Sequence, residues 1–154
     1  MVRETTGDIF ESGAAALVNP VNCVGVMGKG LALEFKKRFP RNFECYNDAC
    51  AVGMLRPGKV HVVPAWSEAH PHYIINFPTK RHWRDRSRIE DIEAGLADLV
   101  RVIDEYAIDS VAVPALGCGL GGLVWSEVRQ RILDAATLIP EVEVIVYAAR
   151  GSNV

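Results

Sequence analysis

Short apolar runs that end in polar or glycine-rich tips recur along the whole chain. Between them lie stretches with apolar residues at helical spacing. Residues 2–11 begin as a short strand and close on the turn signal Gly7-Asp8. Residues 14–21 are apolar but interrupted by Asn19 and Pro20, which predicts a buried strand with a polar tip. Leu31, Phe35 and Phe39 recur at helical spacing. Pro40 ends that helix and suits the first turn of the next, whose face carries Phe43, Tyr46 and Cys50. Residues 59–66 and 72–77 read as strands. Residues 87–107 read as the clearest helix, with Ser87 and Glu90 as a capping box and Ile92, Leu96, Leu99 and Ile103 as its core stripe. Residues 109–115 predict a strand. A helix beginning near Gly122 follows, with Val124, Val128, Ile132 and Ala136 on one face. Residues 142–149 predict a last buried strand and residues 150–154 a frayed end.

Strands interspersed with helices argue an α/β sandwich, and long apolar runs near the end argue interior strands covered on both faces. The 154 residues fit one domain with a real core. The net charge of -2 supplies no global attraction to nucleic acid, so any such binding needs a local patch. No run is long enough to span a membrane, and the N-terminus lacks a basic-then-apolar signal pattern. The four cysteines (Cys23, Cys45, Cys50, Cys118) have neither CxxC nor zinc spacing and fit reduced thiols of a cytoplasmic protein. His61, His70, His72 and His82 show no metal spacing, so neither metal nor cofactor is expected. Nothing in the sequence demands more than a monomer.

Candidate chemistry concentrates in three loops, each following a strand. In residues 111–125 an apolar run ends at Pro114 and leads into Gly117, Gly119, Gly121 and Gly122. So many glycines in one turn suit backbone pressed against a ligand, and successive N–H groups beside a helix start form a phosphate site. A second glycine segment, residues 25–30, leads into a helix. It is not a Walker A loop, since Lys29 is followed by Gly30. Asn19 and Asn22 flank Pro20 just before it. The third loop, after residues 72–77, runs Pro78-Thr79-Lys80-Arg81-His82-Trp83-Arg84-Asp85-Arg86. Basic side chains around a tryptophan suit phosphates and a stacked base as well as a plain exposed loop. Lys36, Lys37, Arg38 and Arg41 read as a solvated face. Ligands of such sheets sit outside the carboxyl ends of strands, so the three loops are expected to share one cleft.

Residues 117–122 also match GxGxxG, the dinucleotide fingerprint. Its position near the C-terminus, and Glu141 and Glu143 lying before the last strand, argue against that use. Cys118 between glycines suits a packed thiol better than a nucleophile.

Gly7-Asp8-Ile9-Phe10, residues 16–22, residues 25–30 and residues 114–122 together resemble a macrodomain over nearly the whole chain. The resemblance implies a three-layer α/β/α sandwich with a mixed sheet of about six strands, a single domain over 1–154, and ADP-ribose as ligand. It places Asp8, with the Ile9 backbone, on the adenine. Asn19, Asn22, Gly28, Lys29, Gly30 and Leu31, and Leu116, Gly117, Cys118, Gly119, Leu120 and Gly121, would surround the diphosphate and distal ribose. Asn22 in particular would touch that ribose.

Within the family, residues 26–30 with Thr79-Lys80, and Asn76-Phe77-Pro78-Thr79-Lys80 followed by His82-Trp83-Arg84, resemble the DarG antitoxins. Those remove ADP-ribose from thymidine bases of single-stranded DNA modified by the toxin DarT. The resemblance implies Lys80 as the catalytic amine, with a pKa lowered by burial or by neighbouring Arg81 and Lys29. It implies His82, Trp83 and Arg84 as nucleic-acid contacts, and a DarT-like toxin as partner through a region this chain lacks. The chain would then be an excised domain or a stand-alone relative. Related enzymes acting on glutamate esters carry an aspartate where this chain has Gly121. Two alternatives stand beside the DNA glycohydrolase: a module that binds ADP-ribose without turnover, and a hydrolase of ADP-ribosyl-glutamate esters on protein.

Overall fold

The computed structural model describes residues 1–151. Six strands form one mixed sheet: β1 (Val2–Thr5), β2 (Ala16–Val21), β3 (His61–Pro64), β4 (Tyr73–Pro78), β5 (Ser110–Val113) and β6 (Glu143–Tyr147). Their order across the sheet is β1-β6-β5-β2-β4-β3. Every neighbouring pair is parallel except β3 with β4. Four helices complete the fold: α1 (Gly30–Arg38), α2 (Pro40–Ala51), α3 (Ile89–Glu105) and α4 (Trp125–Ala136). None is long and apolar enough to cross a membrane.

The side-chain period of two divides each central strand between two cores. Ala16, Val18, Ile75, Phe77, Val111, Val113, Val144 and Val146 face the α3 and α4 stripes. Leu17, Ile74, Ala112 and Ile145 point to the other face, under Phe35 of α1 and Ile9. Both faces are covered, which is why these strands read as unbroken apolar runs. The stripe Ile92, Leu96, Leu99 and Ile103 is buried as its spacing requires, each side chain contributing about 1.5–3 kcal/mol.

Three local expectations are corrected. α3 begins at Ile89 with Arg88 as its cap residue, and no side chain caps it. Ser87 is not part of a capping box: it is drawn into the core, and its backbone N–H donates to Gly121 O at 3.0 Å. α4 begins at Trp125 rather than near Gly122, because Gly122 has φ +78 and ends a turn. The basic residues 36–41 are exposed but not simply solvated. Lys36 lies over the Phe43 ring, Arg38 over Phe10 and Arg41 over Trp66. Of the expected frayed end, residues 152–154 lie outside the described residues.

Candidate functional site

The sheet order makes the site. β5, β2 and β4 are parallel neighbours, so the loops that follow them (residues 114–124, 22–29 and 79–88) leave the same edge of the sheet side by side. β2 pairs with β4 along its whole length, Ala16 to Val21, but with β5 only at Ala16 and Leu17. Beyond that point β2 and β5 part. Asn19 and Pro20 fall in the unpaired stretch, where the N–H that proline lacks is not needed by a β5 ladder.

Backbone hydrogen bonds tie the three loops together. Thr79 N donates to Val21 O at 2.8 Å and Cys23 N to Arg81 O at 3.2 Å, which joins the Lys80 loop to the end of β2. Ser87 N to Gly121 O joins its other end to the glycine loop. The Lys80 loop therefore bridges both glycine segments.

Inside the glycine loop, Gly117 adopts φ +74, and its N-terminal neighbour Leu116 is fully buried. Gly121 is pinned by sterics. A Cβ there would lie 2.5 Å from the Gly117 carbonyl oxygen and would collide with Ser87 Oγ. No side chain fits at 121 in this loop conformation, an aspartate included. The Ser87 hydroxyl is buried with no hydrogen-bond partner among the described residues. The Cys118 thiol is pushed up to about 11 by burial, which makes it a poor nucleophile at neutral pH.

The second glycine segment is organised by Asn22. Its Oδ1 accepts from Val24 N at 3.0 Å and from Val26 N at 3.3 Å, and its Nδ2 donates to Val26 O at 2.7 Å. The buried Tyr46 hydroxyl lies 2.7 Å from the same Oδ1 and 2.8 Å from Asn22 O. One amide hydrogen of Asn22 is left for a ligand. Gly28, Lys29 and Gly30 are exposed, and Leu31 is half-buried. Lys29 caps α1 without a side-chain hydrogen bond, so the first N–H groups of that helix remain available to an anion.

Asn19 is fully buried, and its Nδ2 donates to Asn76 Oδ1 at 3.1 Å. Asn76 is in turn paired both ways with Asn42, at 2.9 and 3.1 Å. This buried amide cluster ties β2, β4 and α2 together.

Lys80 is half-buried, with Nζ 3.5 Å from Trp83 O. Burial holds its pKa below the ordinary lysine value, while Asp85 works in the opposite direction. The expected contribution of Arg81 and Lys29 is absent. Arg81 is instead engaged with Asp91 at 3.3 Å. Buried Thr79 sits behind Lys80, its hydroxyl 3.5 Å from Val21 O. His82 and Trp83 pack at 5.2 Å between ring centroids, and the Arg84 guanidinium lies 4.7 Å over Trp83.

At the far side, Asp8 Oδ1 accepts from Phe10 N at 2.9 Å and caps the short turn Ile9–Glu11. Its other oxygen is 3.9 Å from Arg38. Ile9 itself is buried. Tyr147, at the end of β6, has its pKa raised by burial, with Asp8 and Glu11 adding to the effect and Arg3 opposing it.

Spacing alone does not mark Tyr46 or Ser87 for the site: Tyr46 lies on an ordinary helix stripe, and Ser87 resembles a cap. The dinucleotide-fingerprint reading of residues 117–122 fails on topology. Glu143 begins β6, at the opposite edge of the sheet from the glycine loop.

Comparison with known proteins bears on this arrangement. Residues 18–132 match the family model described as "Macro domain". The chain is 49% identical over 153 residues to the DNA ADP-ribosyl glycohydrolase of Mycobacterium tuberculosis, covering 99% of this chain and 44% of that protein. It is 50% identical over 147 residues to the enzyme of the same name from Thermus aquaticus, covering 96% and 41%. This chain therefore spans under half the length of these curated relatives. Among solved structures, the macrodomain of Mycobacterium tuberculosis DarG superposes with TM-score 0.96 at 50% identity, over 97% of this chain and 98% of that one. Thermosipho africanus DarTG in complex with ADP-ribose gives 0.90 at 38% identity, over 99% and 43%.

Proposed function

The chain belongs to the macrodomain family, and on that premise we propose that it is a DNA ADP-ribosyl glycohydrolase releasing ADP-ribose from thymidine in single-stranded DNA. The observation that carries this reading is Lys80. Its loop is bonded to the end of β2 and to Cys23 on one side and to Gly121 on the other, and its amine is shielded enough for burial to lower its pKa. A module that only binds ADP-ribose has no use for such an amine.

ADP-ribose would lie along the carboxyl edge of the sheet. Its adenine would rest near Asp8 and the Ile9 backbone. Its diphosphate would lie between the α1 start (Gly28, Lys29, Gly30, Leu31) and the backbone of residues 116–121, where N–H groups offset its charge. The distal ribose would face the free amide hydrogen of Asn22 and Lys80. His82, Trp83 and Arg84 extend from Lys80 on the exposed side and suit the strand that carries the modified base.

The chemistry needs the neutral amine. Its lone pair attacks the anomeric carbon of the distal ribose, the bond to the base nitrogen breaks, and the proton shed by the lysine passes to the base. Water then displaces the lysine, releasing ADP-ribose and restoring the amine. The blocked position 121 favours this reading over action on glutamate esters, because it excludes an assisting carboxylate from the loop.

DarT-like toxin recognition is proposed only for a longer protein, since the relatives extend well beyond the matched region. A monomer is the proposed state of this chain.

The test is ADP-ribose release from a thymidine-modified oligonucleotide and from a glutamate-modified protein, with wild type and Lys80→Ala. Release from the oligonucleotide only, reduced at least a hundredfold in the variant while ADP-ribose affinity holds within about threefold, is expected. Undiminished release by Lys80→Ala would overturn the mechanism. Tight ADP-ribose binding with no release from either substrate would make the chain a reader.

A further inference from the structure

We propose that Trp66 and Arg41 form a second base-stacking platform, which holds the substrate's single strand at a distance from Lys80. The proposal rests on the part of the proposed function by which the protein engages single-stranded DNA.

Trp66 and Trp83 are the exposed tryptophans of the described residues, at 51% and 49%. Each has a guanidinium stacked on its ring, Arg41 at 4.3 Å from the Trp66 centroid and Arg84 at 4.7 Å from that of Trp83. The two pairs flank the two ends of one strand. Pairing of β3 with β4 sets Pro64 opposite Tyr73, so Trp66 emerges beside the start of β4, while Trp83 follows its end at Pro78. Six residues of strand set the two ends about 20 Å apart, at about 3.3 Å per residue.

Three features suit Trp66 to a nucleotide. It borders a cleft of about 180 Å³, lined also by Arg38, Phe39, Pro40, Arg41 and Pro64. Its backbone has φ +50, a left-handed conformation that non-glycine residues adopt only at a cost, so the indole is presented outward against local preference. Arg41 has no carboxylate partner among the described residues, and the Arg38 contact to Asp8 is long, at 3.9 Å, and exposed. An aromatic face, a slot and a cation without a carboxylate partner match a stacked base with its phosphate. The ligand class is therefore a nucleotide of the same single strand, away from the modified base.

Length dependence tests this. The substrates are an ADP-ribosylated thymidine dinucleotide and a modified strand of about 15 nucleotides, within the usual footprint of stacking grooves. Trp66→Ala and Arg41→Ala should each raise KM for the long strand about tenfold, leaving its kcat and the dinucleotide's kcat/KM unchanged. Trp66→Phe, which keeps a ring, should recover most of the loss. Unchanged KM for the long strand, or equal losses for both lengths, would overturn the platform.

Fluorescence anisotropy with a labelled, unmodified oligothymidine separates this idea from the catalytic one. If wild type releases no ADP-ribose, the glycohydrolase reading fails. The platform still stands if wild type binds the strand and Trp66→Ala weakens it about tenfold. It falls if wild type does not bind, or if the variants bind as wild type does.

Discussion

At the scale of single residues, the site depends on polar groups whose partners are spoken for. The Asn22 side chain closes the 22–26 turn on itself, and the Tyr46 hydroxyl holds it from below. Tyr46→Phe removes that support without emptying the core. It should cost about 1 kcal/mol in thermal unfolding and weaken ADP-ribose binding several-fold by calorimetry. Lys80 makes a sharper prediction. The ammonium is inert as a nucleophile, so release of ADP-ribose should rise with pH until the lysine has lost its proton. Burial moves that rise below the ordinary lysine range, and Asp85, which favours the ammonium, holds it back. Asp85→Asn should therefore shift the rising limb of the pH–kcat profile to lower pH. A shift to higher pH would contradict the assignment of Lys80 as the titrating group.

At the scale of elements, the departures from pattern mark the places that matter. Ser87 and Glu90 have the spacing of a capping box, yet Ser87 is taken by the glycine loop, because its N–H bond to Gly121 O closes the site. Local capping is worth about 1 kcal/mol, little enough for tertiary packing to override it. α3 shows the same lesson in its core. The stripe at residues 92–103 was plain from spacing, but Gly95 was not part of it. A Cβ at Gly95 would run into the Phe77 ring, so glycine is what lets α3 approach β4. Gly95→Ala, favourable for an isolated helix, should instead destabilise the protein by about 1–3 kcal/mol in chemical denaturation. β2 is the third case. Proline in the middle of a sheet is normally excluded, and here it marks where β2 leaves β5.

At the scale of the whole molecule, a net charge of -2 leaves nucleic-acid binding to a local surface. The Trp83–Arg84 pair is that surface in the proposed function. Replacing both with alanine should weaken action on a modified oligonucleotide at least tenfold and steepen no salt dependence, while ADP-ribose affinity stays within about twofold. Equal losses in both measurements would remove the patch from the substrate path.

The alternation of apolar runs and glycine tips determined the α/β class, the strand positions to within a few residues, and the three loops that carry the chemistry. Those features are local: period, turn chemistry and glycine content act over a few neighbouring residues. The motifs in their order also identified the family. What the tertiary structure alone decided is which loops meet. The order β5-β2-β4 sets them side by side, parts β2 from β5, buries Asn19 in the core, and the fold brings Ser87 to Gly121. It also set Arg41 of α2 over Trp66. Such pairings join residues far apart in the chain, and they follow from which faces pack together rather than from any local preference.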